Sequence, residues 1–231
     1  MSNNPLITLN SVTKQYLSPQ AGKGSRQLVK ALDRVSFDIF EQEVIGVIGP
    51  NGCGKTTLLR AIGGTLDIDK GLIKRQVMPR TIIELTQNLV YEATGVQNIF
   101  YFGAIIGIEK REIKAHLDSI IRFSGLAHVI QEPLSHYSSG MRMKLAYSVA
   151  TMGNPKLICL DEIISVGDKN FSAKATKKFE SLRKQKCTII LATHQLDNLV
   201  NIATRVIYIK NGKIIADGCP KKVIEQYKQS G

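Results

Sequence analysis

Residues 49–56, Gly49-Pro50-Asn51-Gly52-Cys53-Gly54-Lys55-Thr56, set glycines at fixed distances before a lysine and a threonine, in the pattern G-x-x-x-x-G-K-[ST]. Those residue types in that order suit one task. Glycines let backbone N–H groups close around phosphate oxygens, and a helix starting there points its positive end at the anion. Lys55 then reaches the β- and γ-phosphates of ATP, and the Thr56 hydroxyl ligates Mg²⁺. Thr57 continues the cradle into the apolar helix Leu58-Leu59-Arg60-Ala61-Ile62. Farther along, Leu157-Ile158-Cys159-Leu160 ends in Asp161-Glu162. Asp161 is placed to hold Mg²⁺ through water, and Glu162 to polarise the attacking water as a general base. The plainer reading is that this acid pair caps a following helix. After a phosphate loop, the functional reading prevails.

A second anion site is written at Tyr137-Ser138-Ser139-Gly140-Met141, which precedes a helix with Leu145, Ala146, Val149 and Ala150 on one face. Its serines suit an N-cap, and a capped helix start attracts phosphate. Taken in order, the loop, this segment and the acid pair resemble the ATP-binding subunits of ABC transporters over essentially the whole chain. The resemblance implies that Ser138, Ser139 and Gly140 of one copy close on the γ-phosphate held by another. It also implies that His194, in Ala192-Thr193-His194-Gln195, touches that phosphate and aligns the water. A lone histidine without that resemblance reads as structural. Tyr16 matches the aromatic residue that stacks on adenine. Gln87 matches the glutamine that reaches Mg²⁺ and senses a membrane partner, at a spacing to Thr94-Gly95 that is short for the family. Asp168 matches the loop that crosses to the opposite site.

The family's usual signature is Leu-Ser-Gly-Gly-Gln, and this chain departs at its first, third and fifth positions. That variant, with Ser165-Val166-Gly167-Asp168 after the acid pair, resembles the ATPases that export capsule, O-antigen and teichoic-acid chains built on a lipid carrier. The loop Ser18–Gln27 is similar to that of capsule-type members. Alternatives are a motor for another cargo such as a drug or lipid, a soluble ABC ATPase of DNA repair or translation, and a nonenzymatic nucleotide-binding regulator. The signature variant favours polysaccharide, the single compact half disfavours the soluble ATPases, and intact Lys55, Asp161, Glu162 and His194 disfavour the regulator.

These residues need elements to hold them. Short apolar runs at Val44–Ile48, Thr81–Leu85, Leu157–Leu160, Thr188–Leu191 and Val206–Ile209 suit strands buried on both faces of a parallel sheet. Val206–Ile209, Asn211-Gly212 and Lys213–Ala216 predict a hairpin with a primed turn. An antiparallel piece from Ile7–Leu9 and Ala31–Ile39 flanks the Ser18–Gln27 loop. From about residue 90 to residue 152 the pattern is helical, with Ile113, Leu117, Ile120 and Ile121 on one face of Glu109–Phe123. The expected class is α/β: a P-loop NTPase of ABC type, with a RecA-like parallel-sheet core, an antiparallel β subdomain and an inserted helical subdomain. We expect one domain over residues 1–231, without a C-terminal carbohydrate-binding domain.

Composition bounds the partners. With 231 residues, 43% hydrophobic and 22% charged, the chain suits a folded domain and excludes a disordered tail. The longest uncharged apolar run, Ile99–Ile108, is too short to cross a membrane and reads partly as helical core and partly as a groove for a partner. Four separated cysteines, Cys53, Cys159, Cys187 and Cys219, read as reduced thiols. The net charge is +12, and Lys169–Lys186 holds seven Lys or Arg against Glu180 alone. That run reads as a solvated face with some pull toward an anionic membrane surface. No base-reading motif points to nucleic acid. Half-sites on one chain imply a homodimer. A motor without a span implies two copies of a membrane permease, and the resemblance to polysaccharide exporters implies lipid-linked polysaccharide as the cargo moved through it. With no leader, the chain is expected at the cytoplasmic face of the bacterial inner membrane.

Overall fold

The computed structural model describes residues 4–17, 28–83, 86–161 and 168–230. In chain order the elements are β1 (Ile7–Leu17), β2 (Leu28–Ile39), β3 (Val44–Ile48), α1 (Lys55–Ile62), β4 (Lys70–Arg75), β5 (Arg80–Ile82), α2 (Gly95–Ile105), α3 (Lys110–Ser124) and α4 (Ser139–Ala150). There follow β6 (Leu157–Asp161), α5 (Lys169–Lys184), β7 (Thr188–Ala192), α6 (Leu196–Ile202), β8 (Arg205–Lys210), β9 (Lys213–Gly218) and α7 (Pro220–Ser230).

A six-stranded sheet runs β5-β6-β7-β3-β8-β9, parallel except for β9. Every residue of β3 and β7 is buried, the fate of a strand covered on both faces. The period of two then divides the strands between two cores. Val44 and Ile48, with Ile158, Leu160, Ile189 and Leu191, face the helices of the insert and α5–α7. Ile45 and Val47, with Cys159, Ile190, Ile207 and Ile209, face α1 and a three-stranded antiparallel sheet, β2-β1-β4. The fold is therefore α/β, with parallel and antiparallel sheets segregated.

Several boundaries differ from expectation for identifiable reasons. β1 runs on to Leu17 and β2 starts at Leu28 because Ser11 (φ 51°) and Arg34 (φ 55°) sit at irregular pairings that break the alternation without ending the strands. β4 is an edge strand with little buried surface, so it carries no apolar pattern. β5 stops at Ile82 rather than Leu85: paired only with β6, it leaves the ladder where the chain turns toward the insert. Residues 84 and 85, like the Ser18–Gln27 loop, lie outside the described residues. The C-terminal hairpin follows the sequence, with Asn211 (φ 51°) and Gly212 (φ 74°) both in the left-handed region that a primed turn requires.

Helices α2–α4 lie between β5 and β6 and share a continuous core with one sheet face. Arg80 of β5 ties them down, donating to Glu112 Oε1 of α3 at 2.6 Å and to the Met152 carbonyl at 2.5 Å. Within Ile99–Ile108, Ile99, Phe102 and Ile108 are buried while Tyr101 and Ile105 are exposed, so the run serves core and surface together. The basic run is the solvent side of α5, which buries Phe171, Ala175 and Leu182. No helix among the described residues is long and apolar enough to cross a membrane.

Candidate nucleotide site

The loop from Gly49 to Gly54 leaves the C-terminal end of β3 and enters α1. Neighbouring backbone sets its shape. Gly49 has φ 152° and a Cβ there would lie 2.1 Å from the Ile209 carbonyl oxygen; Gly54 has φ 111° and would meet the Ala31 oxygen at 2.1 Å. Only glycine fits either position. The turn of the β8–β9 hairpin supports the loop from below, Gly212 N–H donating to the Cys53 carbonyl at 3.0 Å. Helix α1 starts without a side-chain cap and with no acid in its first turn. Its first amides are thus free of local carboxylate competition, which suits a phosphate. Lys55 is buried, its Nζ donating to the Gly49 and Pro50 carbonyls at 2.8 and 3.0 Å, so its ammonium group is folded against the loop that it would serve.

Thr56 Oγ1 donates to Asp161 Oδ2 at 2.7 Å, joining the first turn of α1 to the end of β6. A hydroxyl and a carboxylate side by side are the hard-oxygen donors that Mg²⁺ takes, with water and phosphate completing its shell. Among the described residues no group of three or more His, Cys, Asp or Glu could hold a metal alone, so phosphate oxygens fit as the remaining ligands. Glu162 and Ser165-Val166-Gly167 lie outside the described residues. His194 is exposed just past β7, which pairs with both β3 and β6. It therefore leaves the sheet between the phosphate loop and Asp161. Tyr16 is 40% exposed on β1, with Lys14 Nζ 5.7 Å from its ring centroid, and β2 beside it supplies the Ala31 carbonyl that packs on Gly54.

The remaining predicted residues lie elsewhere. Ser138 caps α4, accepting from Met141 N–H at 3.2 Å, while Ser138 N–H donates to Met141 Sδ at 3.5 Å. The thioether thus fills the reciprocal role that glutamine takes in a capping box. Tyr137, the other bulky departure, is buried with its hydroxyl donating to the Val129 carbonyl at 2.6 Å, and burial raises its pKa. Ser138 and Ser139 are exposed at the start of α4. Asp168 caps α5 through Phe171 N–H at 2.9 Å. Its second oxygen accepts from Lys144 Nζ of α4 at 2.5 Å, and that hydrogen bond holds the carboxyl below its ordinary pKa. Gln87 is exposed in a groove of about 370 Å³ with Arg60, Gly63, Thr81, Ile83 and Ile105, at the opposite end of α1 from Thr56. Sequence reasoning missed Lys144, Tyr91 and Arg142, which couple the signature helix to other segments. The Lys144–Asp168 and Arg142–Tyr91 pairs bring together residues distant in sequence, and no motif marks them.

Residues 32–165 match the family described as ABC transporter. The O-antigen export system ATP-binding protein RfbB of Klebsiella pneumoniae is 32% identical, with 98% of each chain covered. The teichoic acids export ATP-binding protein TagH of Staphylococcus haemolyticus is also 32% identical, over 96% of this chain and 88% of that one. Among solved structures, an ATP-binding cassette in a dimeric post-hydrolysis state with ADP and Pi superposes with a TM-score of 0.75, at 21% identity over 93% of this chain and 98% of the other. With the family match spanning more than half of the residues and relatives at 32% identity covered nearly end to end, the chain belongs to the ABC transporter family.

Proposed function

We propose that this chain is the ATP-hydrolysing subunit of a bacterial exporter that moves lipid-linked polysaccharide across the inner membrane. The observation that carries the reading is the division of the site. The phosphate loop and the Thr56–Asp161 pair lie at the carboxyl ends of the interior strands β3 and β6, while Ser138 and Ser139 are exposed at the start of α4 in the insert. One copy thus offers two half-sites, and two copies head to tail complete both. The Klebsiella and Staphylococcus relatives, named for O-antigen and teichoic-acid export, support polysaccharide as the cargo.

In this reading residues 1–231 form one ATPase domain, with residues 90–152 as its helical subdomain. Lys55 turns from its loop carbonyls to the β- and γ-phosphates, and Thr56 and Asp161 hold Mg²⁺. The cation supplies charge neutralisation on the phosphate oxygens. Glu162 accepts a proton from the attacking water as its oxygen bonds to the γ-phosphorus and the γ-phosphorus–oxygen bond to ADP breaks, giving ADP and inorganic phosphate. His194 orients the water and the transferred group, Tyr16 stacks on adenine, and Asp168 belongs to the segment that reaches the opposite site. The groove beside Gln87, bordered by exposed Met78 and Ile105, receives a segment of the permease, present in two copies at the membrane's cytoplasmic face.

Glu162→Gln tests the mechanism. It is expected to keep ATP affinity, lose phosphate release and accumulate an ATP-dependent dimer in size-exclusion chromatography. Hydrolysis at the parent rate would remove Glu162 from the role of base. Co-purification from membranes tests the cargo, through the partner recovered and the lipid-linked glycan bound to it.

A further inference from the structure

The segment from Leu89 to Thr94 leads from the groove into α2, and one side chain organises it. Asn98 is 0% exposed. Its Oδ1 accepts from Val90 N–H at 2.8 Å, and its Nδ2 donates to the carbonyls of Val90, Ala93 and Thr94 at 2.8, 3.1 and 3.0 Å. A buried amide with all of its hydrogen-bonding atoms committed to backbone fixes that backbone. The segment's free edge pairs with the chain entering the signature: Leu134 N–H donates to the Ala93 carbonyl at 3.0 Å and Ser135 N–H to the Tyr91 carbonyl at 2.8 Å. Thr94 and Pro133 form an antiparallel bridge between the two.

Arg142, in the first turns of α4, closes the circuit. Its guanidinium donates to the carbonyls of Leu134, at 3.4 Å, and Tyr137, and its central carbon lies 4.9 Å from the Tyr91 ring centroid. Tyr91 is 42% exposed, so this stack forms an accessible seam rather than part of the core. The polypeptide bordering the groove and the polypeptide capping α4 are therefore one hydrogen-bonded piece.

We propose that Tyr91 and Arg142 are positioning residues: backed by Asn98, they hold Ser138 and Ser139 in the geometry that an opposing copy's nucleotide requires, as dictated by the groove segment. This rests on the two-copy site proposed above. The seam touches neither the phosphate loop nor Asp161, so it governs the assembly of two copies and leaves nucleotide capture by one copy unchanged.

The test uses the full chain carrying Glu162→Gln, with Mg-ATP as the probe. Tyr91→Ala is added in one variant and Tyr91→Phe in another. Single-copy ATP affinity is read by equilibrium binding at dilute protein, and dimer association by sedimentation. Tyr91→Ala is expected to keep ATP affinity within about twofold and to weaken ATP-dependent association about tenfold, since two cation–π seams are lost per dimer. Tyr91→Phe, which keeps the ring, is expected to restore association. Parent-like association in Tyr91→Ala, or failure of Tyr91→Phe to restore it, overturns the inference. So does a parallel loss of ATP affinity, which marks a general structural role. If the Glu162→Gln parent itself shows no ATP-dependent dimer, the two-copy reading fails and takes the inference with it.

Discussion

The phosphate loop and the proposed signature end of this chain differ in what reinforces them. The phosphate loop is shaped by backbone: the Ile209 carbonyl of β8 and the Ala31 carbonyl of β2 pack on its glycines, and Gly212 N–H in the β8–β9 turn bonds to the Cys53 carbonyl. At the signature end, side chains reinforce the backbone pairing of residues 133–135 with residues 91–94: Asn98 and Arg142 on one side and Lys144 on the other. A backbone clamp cannot be loosened without unfolding the sheet. A side-chain clamp can be reset by whatever occupies the adjoining groove. In the two-copy reading proposed above, one half-site would then be fixed and the other adjustable.

Mutations should sharpen that contrast. Removing the loop's charge with Lys55→Met is expected to reduce kcat/KM for ATP by at least about 100-fold with little change in melting temperature, since the loss is one of electrostatic stabilisation. Steady-state phosphate release and calorimetry read the two quantities. Next in size, Asn98→Ala deprives the Val90 N–H of its acceptor and three carbonyls of one of their donors, at a cost of about 2 kcal/mol in unfolding free energy. Urea titration checks this, and dimer association should fall with it while single-copy ATP affinity persists in the folded fraction. Equal damage to ATP affinity would erase the distinction between the ends.

Smaller effects probe the signature's own dress. Met141→Leu keeps the bulk but loses the thioether acceptor for Ser138 N–H, and should cost no more than about 0.5 kcal/mol, a thioether being a weak acceptor. Smallest is a pH effect. The hydrogen bond from Lys144 lowers the Asp168 pKa in the folded chain, so its stabilisation is present above the unfolded carboxylate pKa and is lost as pH falls through the lower folded value. Lys144→Met should move the Asp168 titration up toward the ordinary carboxylate value, as followed by NMR. An unmoved titration would break the link between α4 and α5.

The same contrast explains what could be read beforehand. The loop, Asp161 and the Asn211-Gly212 turn announce themselves because their chemistry demands particular residue types in a short stretch. Asn98 does not, for its partners are carbonyls, which every residue possesses. Lys144 and Asp168 stand 24 residues apart with nothing between them to suggest a meeting. The alternation that would have traced β1 and β2 is interrupted at Ser11 and Arg34, and β4 has too little buried surface to show one. Gln87 carries a familiar residue type, yet its groove is a product of packing between α1, β5 and α2, legible only in three dimensions.

β3, the strand that delivers the phosphate loop, forms its ladder with β7 and β8, and its borders are joined to Thr188 and Thr204 across separations of 146 and 160 residues. A ribosome therefore makes the loop early and its scaffold late. At roughly 5–20 residues per second, many seconds pass before β7 and β8 have been synthesised. Until then Gly49 has no Ile209 to lean on, and the half-made motor idles without consuming fuel.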